Sequence, residues 1–134
     1  MFEKLVYHLI NIKFRQLVFF QNSDLTTISI AKNLKEKYPF YKAEQNDKEF
    51  LTEFLKRDSE YWKNQGLEIS TIENKAENTY VIWNAKNTNE TKPEVNTFFL
   101  FGVKNNFVYS FSISSKVWSK EQKIEFLKNL YESN

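Results

Sequence analysis

The chain has no cysteine, one histidine, two glycines and two prolines. Without cysteine there is no disulfide framework, no thiolate nucleophile and no cysteine-based zinc site. One histidine, His8, cannot build a histidine-rich metal centre, and no nucleophile for it to activate can be identified. Gly66 and Gly102 stand alone, so there is no glycine-rich phosphate loop and no Gly-x-Ser-x-Gly elbow. An acidic loop of calcium-binding spacing is also missing. The expectation is a chain with no catalytic residues, no metal and no cofactor.

Arginine is scarce as well. Only Arg15 and Arg57 occur among 19 basic residues, which face 17 acidic ones for a net charge of +2. Base edges and phosphates are read mostly by arginine from a basic stripe, so nucleic acid is not the expected partner. The N-terminal stretch MFEKLVYHLINIKFRQLVFF is apolar, but Glu3, Lys4, His8, Lys13 and Arg15 interrupt it. It is too broken for a stable membrane span and lacks the cleavage site of a signal peptide. A cytoplasmic location is expected, the alternative being an exported protein whose signal was removed before residue 1.

What the chain does have is aromatic bulk. Of 134 residues 41% are hydrophobic and 17% aromatic, with 13 phenylalanines, even though mean hydropathy is -0.60. That load requires a core or an interface, and the length suits one domain over residues 1–134. Heavy use of Lys, Asn, Ile, Phe and Tyr matches the codon bias of an AT-rich bacterial genome.

Along the chain, Asp47 to Gln65 carries Phe50, Leu51, Phe54, Leu55, Tyr61 and Trp62 at helical spacing. Asn46 with Glu49 forms a capping-box pattern before it, and Gly66 supplies the stop. A second helix is expected from Ser119, with Gln122 completing a capping box and Ile124, Leu127, Leu130 and Tyr131 forming its buried stripe. Between the helices, Leu67 to Glu73, Thr79 to Ala85, Thr97 to Val103 and Phe107 to Ser114 read as strands, with KNTNETKPEVN (residues 86–96) as a surface loop. Residues 1–45 are ambiguous by period. Phe2, Leu5, Val6, Leu9 and Ile10 suit a helix, whereas Val6, Ile10, Ile12, Phe14, Val18 and Phe20 suit a strand or two. Ile28, Ala31, Leu34 and Tyr38 before Pro39 suit a helix where Thr26 to Ile30 suits a strand. The expectation is a short N-terminal helix, then strands near Gln16 to Gln21 and Thr26 to Ile30. The fold class is therefore α+β: a single domain with an antiparallel sheet of about four to six strands, an amphipathic helix before the main strands and a C-terminal helix.

Asn105-Asn106 tolerates the positive φ of a two-residue turn. It would pair Lys104 with Phe107, Gly102 with Tyr109, Leu100 with Phe111 and Phe98 with Ile113, giving one face rich in aromatics. The reverse face carries Phe99, Phe101, Val103 and Val108 beside Ser110, Ser112 and Ser114. A water-facing sheet does not alternate large apolar residues in this way, so either the protein's own helices or a partner must cover it. Phe99, Phe101, Val103 and Val108 are accordingly the candidate partner-binding residues. Asp58, between Phe54 and Tyr61 on the inward helical face, is either a carboxyl with raised pKa or a structural hydrogen-bonding group. The structural reading is favoured.

The segments NNFVYSFSISS and SKEQKIEFLKNLYES, an aromatic closing strand followed by a helix, resemble the end of PsbP-like α/β domains. From Asp47 onward the order of elements is similar to that family, whereas IAKNLKEKYPF lacks the proline and tryptophan pattern of its opening. The resemblance implies an accessory or secretion-adaptor role. Size, composition and the lack of catalytic motifs point to a non-enzymatic macromolecule-binding protein. The expected partner is another protein: a cognate toxin, as for immunity proteins, a secretion component, or a second copy of the chain.

Overall fold

The computed structural model describes residues 6–12, 15–75, 79–87 and 94–134. Three strands come first: β1 (Val6–Ile12), β2 (Arg15–Gln21) and β3 (Thr27–Leu34). A 3-10 turn at Lys35–Lys37 leads to helix α1 (Asp47–Asn64), then β4 (Glu68–Lys75), β5 (Tyr80–Lys86), β6 (Asn96–Lys104), β7 (Phe107–Ser114) and helix α2 (Lys120–Glu132). All strands join one antiparallel sheet in the order β1-β2-β3-β7-β6-β5-β4. The α+β class, the antiparallel sheet and both helices are as expected.

The N-terminal segment differs. Val6 to Ile12 is a strand and not part of a helix, which brings the sheet to seven strands. Its register with β2 is unbroken, from Val6 opposite Gln21 to Ile12 opposite Arg15. A helix of this length gains little on its own, because nucleation is costly, whereas strand pairing supplies backbone bonds at once. Phe2 and Leu5, also assigned to that helix, lie outside the described residues, as do residues 88–93 of the polar loop.

Asn105 and Asn106 turn the β6–β7 hairpin with φ of 52° and 67°, and Leu100 stands opposite Phe111 as the two-residue turn requires. Alternation then sends β6 side chains to two separate cores. On one side Phe99, Phe101 and Val103 join Val81, Trp83 and Ala85 of β5 beneath α1, which contributes Phe50, Leu51 and Phe54. Phe54 lies flat on Phe101, with ring centroids 4.1 Å apart and 6° between planes. On the other side Phe98 and Leu100 join Ile28, Ile82, Phe111 and Ile113 beneath Leu127 and Tyr131 of α2. The result is a sheet sandwiched between two helices.

Both helices carry the expected signals. Asn46 and Ser119 each accept from the backbone N–H three residues on, and Glu49 and Gln122 reciprocate. At the end of α1, Gly66 adopts φ of 88°, its N–H donates to Lys63 O, and Leu67 N–H donates to Trp62 O. This is the paired closure a left-handed glycine allows. Before α1, the buried Lys35 ammonium sits 2.7 Å from Asp47 in the first helical turn. At the end of α2, Lys104 reaches across from β6 and donates to Tyr131 O at 2.7 Å, a cation placed on the negative helix end.

Gly102 sets how closely α2 approaches the sheet. A Cβ built there would lie 2.4 Å from Tyr131 Cε1, so the ring occupies the space glycine leaves. Tyr131 then donates its hydroxyl to Thr79 O at 3.1 Å. We expect Gly102→Ala to lower unfolding free energy by about 1–3 kcal/mol, the usual cost of overpacking. Urea denaturation measures this; unchanged stability would mean that α2 can lift without penalty.

Candidate protein-binding surface

Phe101, Val103 and Val108 are fully buried and Phe99 half-buried, all beneath or beside α1. Phe101, Val103 and Val108 are interior core, which corrects the partner-binding assignment for these three in the folded chain, and Phe99 sits at the margin of that core. The cause is the position of α1, which packs on β4, β5 and β6. Substituting Phe101 therefore perturbs the fold and not an outer surface, whereas Phe99 also borders open surface. His8 lies in β1, where only backbone and register are described.

Helix α1 does not span the sheet. Seven strands about 4.8 Å apart make a surface about 29 Å wide, whereas a helix covers about 10 Å. Beyond α1, the same face of β3 and β7 carries Thr27, Ser29, Ser110, Ser112 and Ser114, which floor a groove of about 340 Å³. Asp58, Trp62, Phe99 and Phe19 complete its lining. The hydroxyls bond across strands: Ser29 with Ser112, and Thr97 with Ser114 at 2.7 Å. Such a face tolerates water, and for that reason it needs no helix. Asp58 is half-buried at this groove and not enclosed in apolar core.

The end of the groove leads to a surface that sequence patterning gave no reason to single out. Among the described residues, three large apolar side chains are well exposed: Leu25 (72%), Val117 (65%) and Tyr61 (57%). Leu25 tips the β2–β3 loop, and Val117 lies on the β7–α2 loop. The two loops are tied by Thr26 Oγ1 and Ser115 Oγ, 2.6 Å apart. Tyr61, in α1, adjoins Trp62, which lines the groove. A smaller depression of about 190 Å³ between the loops is lined by Asp24, Leu25, Glu94, Asn96, Ser115 and Lys116, with Ser114 at its base.

Leu25 also holds φ of 68°, a left-handed conformation that costs a branched L-residue about 1–2 kcal/mol. The loop is held from within. Asn22 N–H donates to Thr26 O, Leu25 N–H donates to Asn22 O, and Thr26 N–H donates to Asp24 Oδ1. Asn22 and Thr26 are both buried. A buried frame thus presents a strained, solvent-facing leucine. Strain and exposed apolar area at one point are the features of a contact residue. A residue-by-residue signal in the sequence was available only in the turn chemistry of Asn22, Ser23 and Asp24.

The shifted titratable groups lie elsewhere, between α2 and the β4–β5 hairpin. Tyr80 donates its hydroxyl to Glu73 at 2.9 Å, and Lys128 of α2 lies 3.4 Å from the same carboxylate. The Tyr80 hydrogen bond, followed by Lys128, holds Glu73 below the usual carboxylate range against the opposing effect of burial. Burial first, then the Glu73 bond, pushes the Tyr80 phenol up to about 12. Burial likewise raises Tyr131 and lowers the Lys123 ammonium, which lies 5.2 Å over the Phe98 ring. These groups fasten α2 to the sheet. No group of His, Asp or Glu able to hold a metal occurs among the described residues.

Comparison with family models, curated proteins and solved structures finds nothing that matches this chain.

Two outcomes are expected. Leu25→Gly should raise stability by up to about 1 kcal/mol, because glycine adopts the left-handed conformation without strain. A lower thermal midpoint for this variant would show that Leu25 contributes to the fold itself. Tyr80 has a raised folded-state pKa, so its contribution is complete below pH 10, its ordinary value, and is lost as pH rises through about 12. In an ultraviolet titration Tyr80→Phe should remove one late ionisation step; loss of a step near pH 10 instead would refute the burial argument.

Proposed function

We propose that the chain is a small non-enzymatic protein-binding module that acts by occluding another macromolecule, specifically a bacterial toxin-neutralising immunity protein. The observation that carries this reading is the pair of exposed apolar side chains, Leu25 and Val117, on two loops tied through Thr26 and Ser115, with Leu25 held there against its own backbone preference. A monomer with no partner gains nothing from exposing a strained leucine on a rigid loop. Burying such side chains in a complex yields about 25 cal/mol per Å² of apolar area, and the pre-formed loop avoids an ordering cost on binding. Asp24, Glu94 and Lys116 beside Leu25 favour a partner surface that is apolar at its centre and charged in a complementary pattern at its rim.

A PsbP-like accessory or secretion-adaptor role is the second reading. The run of α1, four strands with an aromatic final hairpin, and α2 supports it through element order alone. Fold analogy is weaker support than a site, because one fold hosts many functions.

The test is co-expression with the product of the neighbouring toxin gene. A 1:1 complex is expected, and Leu25→Asp with Val117→Asp should weaken it at least about tenfold, or about 1.4 kcal/mol. Thermal unfolding of the free protein should not fall, since both residues face solvent. A complex unaffected by the double substitution would place the interface elsewhere. Association with a neighbouring export component in place of a toxin would favour the accessory reading.

A further inference from the structure

The two edges of the sheet are built differently. At one edge, β4 (EISTIENK) carries Glu68, Glu73 and Lys75, and its pairing with β5 is interrupted by a bulge between Thr71 and Glu73. Charge and bulges are the usual means by which an edge strand is kept from pairing with another chain. At the other edge, β1 (VYHLINI) contains no Lys, Arg, Asp, Glu, Pro or Gly. Its register with β2 runs through all seven residues without a shift. Among the described residues nothing pairs with its outer side.

A regular antiparallel strand turns half of its N–H and C=O groups outward, and each of them needs a partner when covered. An occupant of this edge must therefore offer backbone donors and acceptors in extended form, which means another strand. The composition of β1 narrows the choice. Antiparallel pairing of β1 with itself opposes no two carboxylates and no two ammonium groups, whatever residue lies on the axis. Its Val and Ile residues also suit cross-strand contacts. A two-fold contact uses the same edge of both copies, so among the described residues the outer edges left are the two β4 strands with their bulges and charges. Growth stops at two copies.

We infer that the chain forms a two-fold dimer by antiparallel pairing of β1 with β1, which joins two seven-stranded sheets into one continuous sheet. This interface is independent of the Leu25 surface and does not rest on the immunity reading.

The lack of native cysteine allows a direct test. Sedimentation velocity of the wild type should show a monomer–dimer equilibrium across micromolar to submillimolar concentrations. Single cysteine variants at each of the seven β1 positions, Val6, Tyr7, His8, Leu9, Ile10, Asn11 and Ile12, should then be oxidised at a concentration that favours the dimer. Near a two-fold axis the Cα atoms of one of these positions and its copy approach within about 4.4–6.8 Å, the range a disulfide spans. At least one β1 variant should yield a covalent dimer, while Thr71→Cys on the β4 edge should not. A wild type that sediments as a monomer throughout overturns the inference. So does a dimer that no β1 cysteine captures, or one that Thr71→Cys captures as readily.

Discussion

Strand β6 is apolar on both faces, and the rest of the architecture follows from that. Phe98 and Leu100 point one way, Phe99, Phe101 and Val103 the other, and neither set can be left in water. One helix could shield only one face. The chain therefore places α1 before these strands and α2 after them, on opposite sides, each with an apolar stripe matched to the face it meets. Stacking of Phe54 on Phe101 fixes one side, and insertion of the Tyr131 ring over Gly102 fixes the other. Close approach at both points leaves α1 and α2 little freedom to shift along the sheet.

A sheet about 29 Å wide is broader than two single helices can cover, and composition deals with the remainder. Beyond α1 the open strands turn serine and threonine outward, where cross-strand hydroxyl pairs and water satisfy them. Beside α2 the flanking residues Trp118, Phe126 and Leu130 stay half-buried and line a depression of about 550 Å³ along the helix. The contrast between a polar wing and an apolar one shows that burial here is set by which strand faces the helices overlay, more than by average hydrophobicity.

The exposed apolar side chains are set apart from the groups that hold the fold. Glu73, Tyr80, Tyr131 and Lys123 have polar or charged groups half-buried or buried where α2 meets the sheet, and their shifted protonation equilibria have structural causes. Leu25 and Val117 lie on loops whose inner residues, Thr26 and Ser115, carry the bond between them. A rigid loop with an apolar tip can bind without first becoming ordered, so the strain kept at Leu25 is consistent with a surface shaped for contact.

By itself the sequence determined the elements whose signals are local. Asn46 with Glu49, Ser119 with Gln122, Gly66 and Asn105-Asn106 each place a cap, a stop or a turn through hydrogen bonds within a few residues. Hydrophobic period added the two-sided apolar pattern of the hairpin and hence its need for cover. It could not say which cover, because alternation along a strand records that a side is buried and not by what. The tertiary structure decided that α1 takes the Phe99 and Phe101 side, which turns an expected interface into core. It also decided that Val6 to Ile12 is a strand, since helix and strand periods overlap in a short apolar run and only pairing with β2 separates them. The proximity of the Leu25 and Val117 loops depends on a contact between segments distant in sequence, so no period or local motif could have announced it.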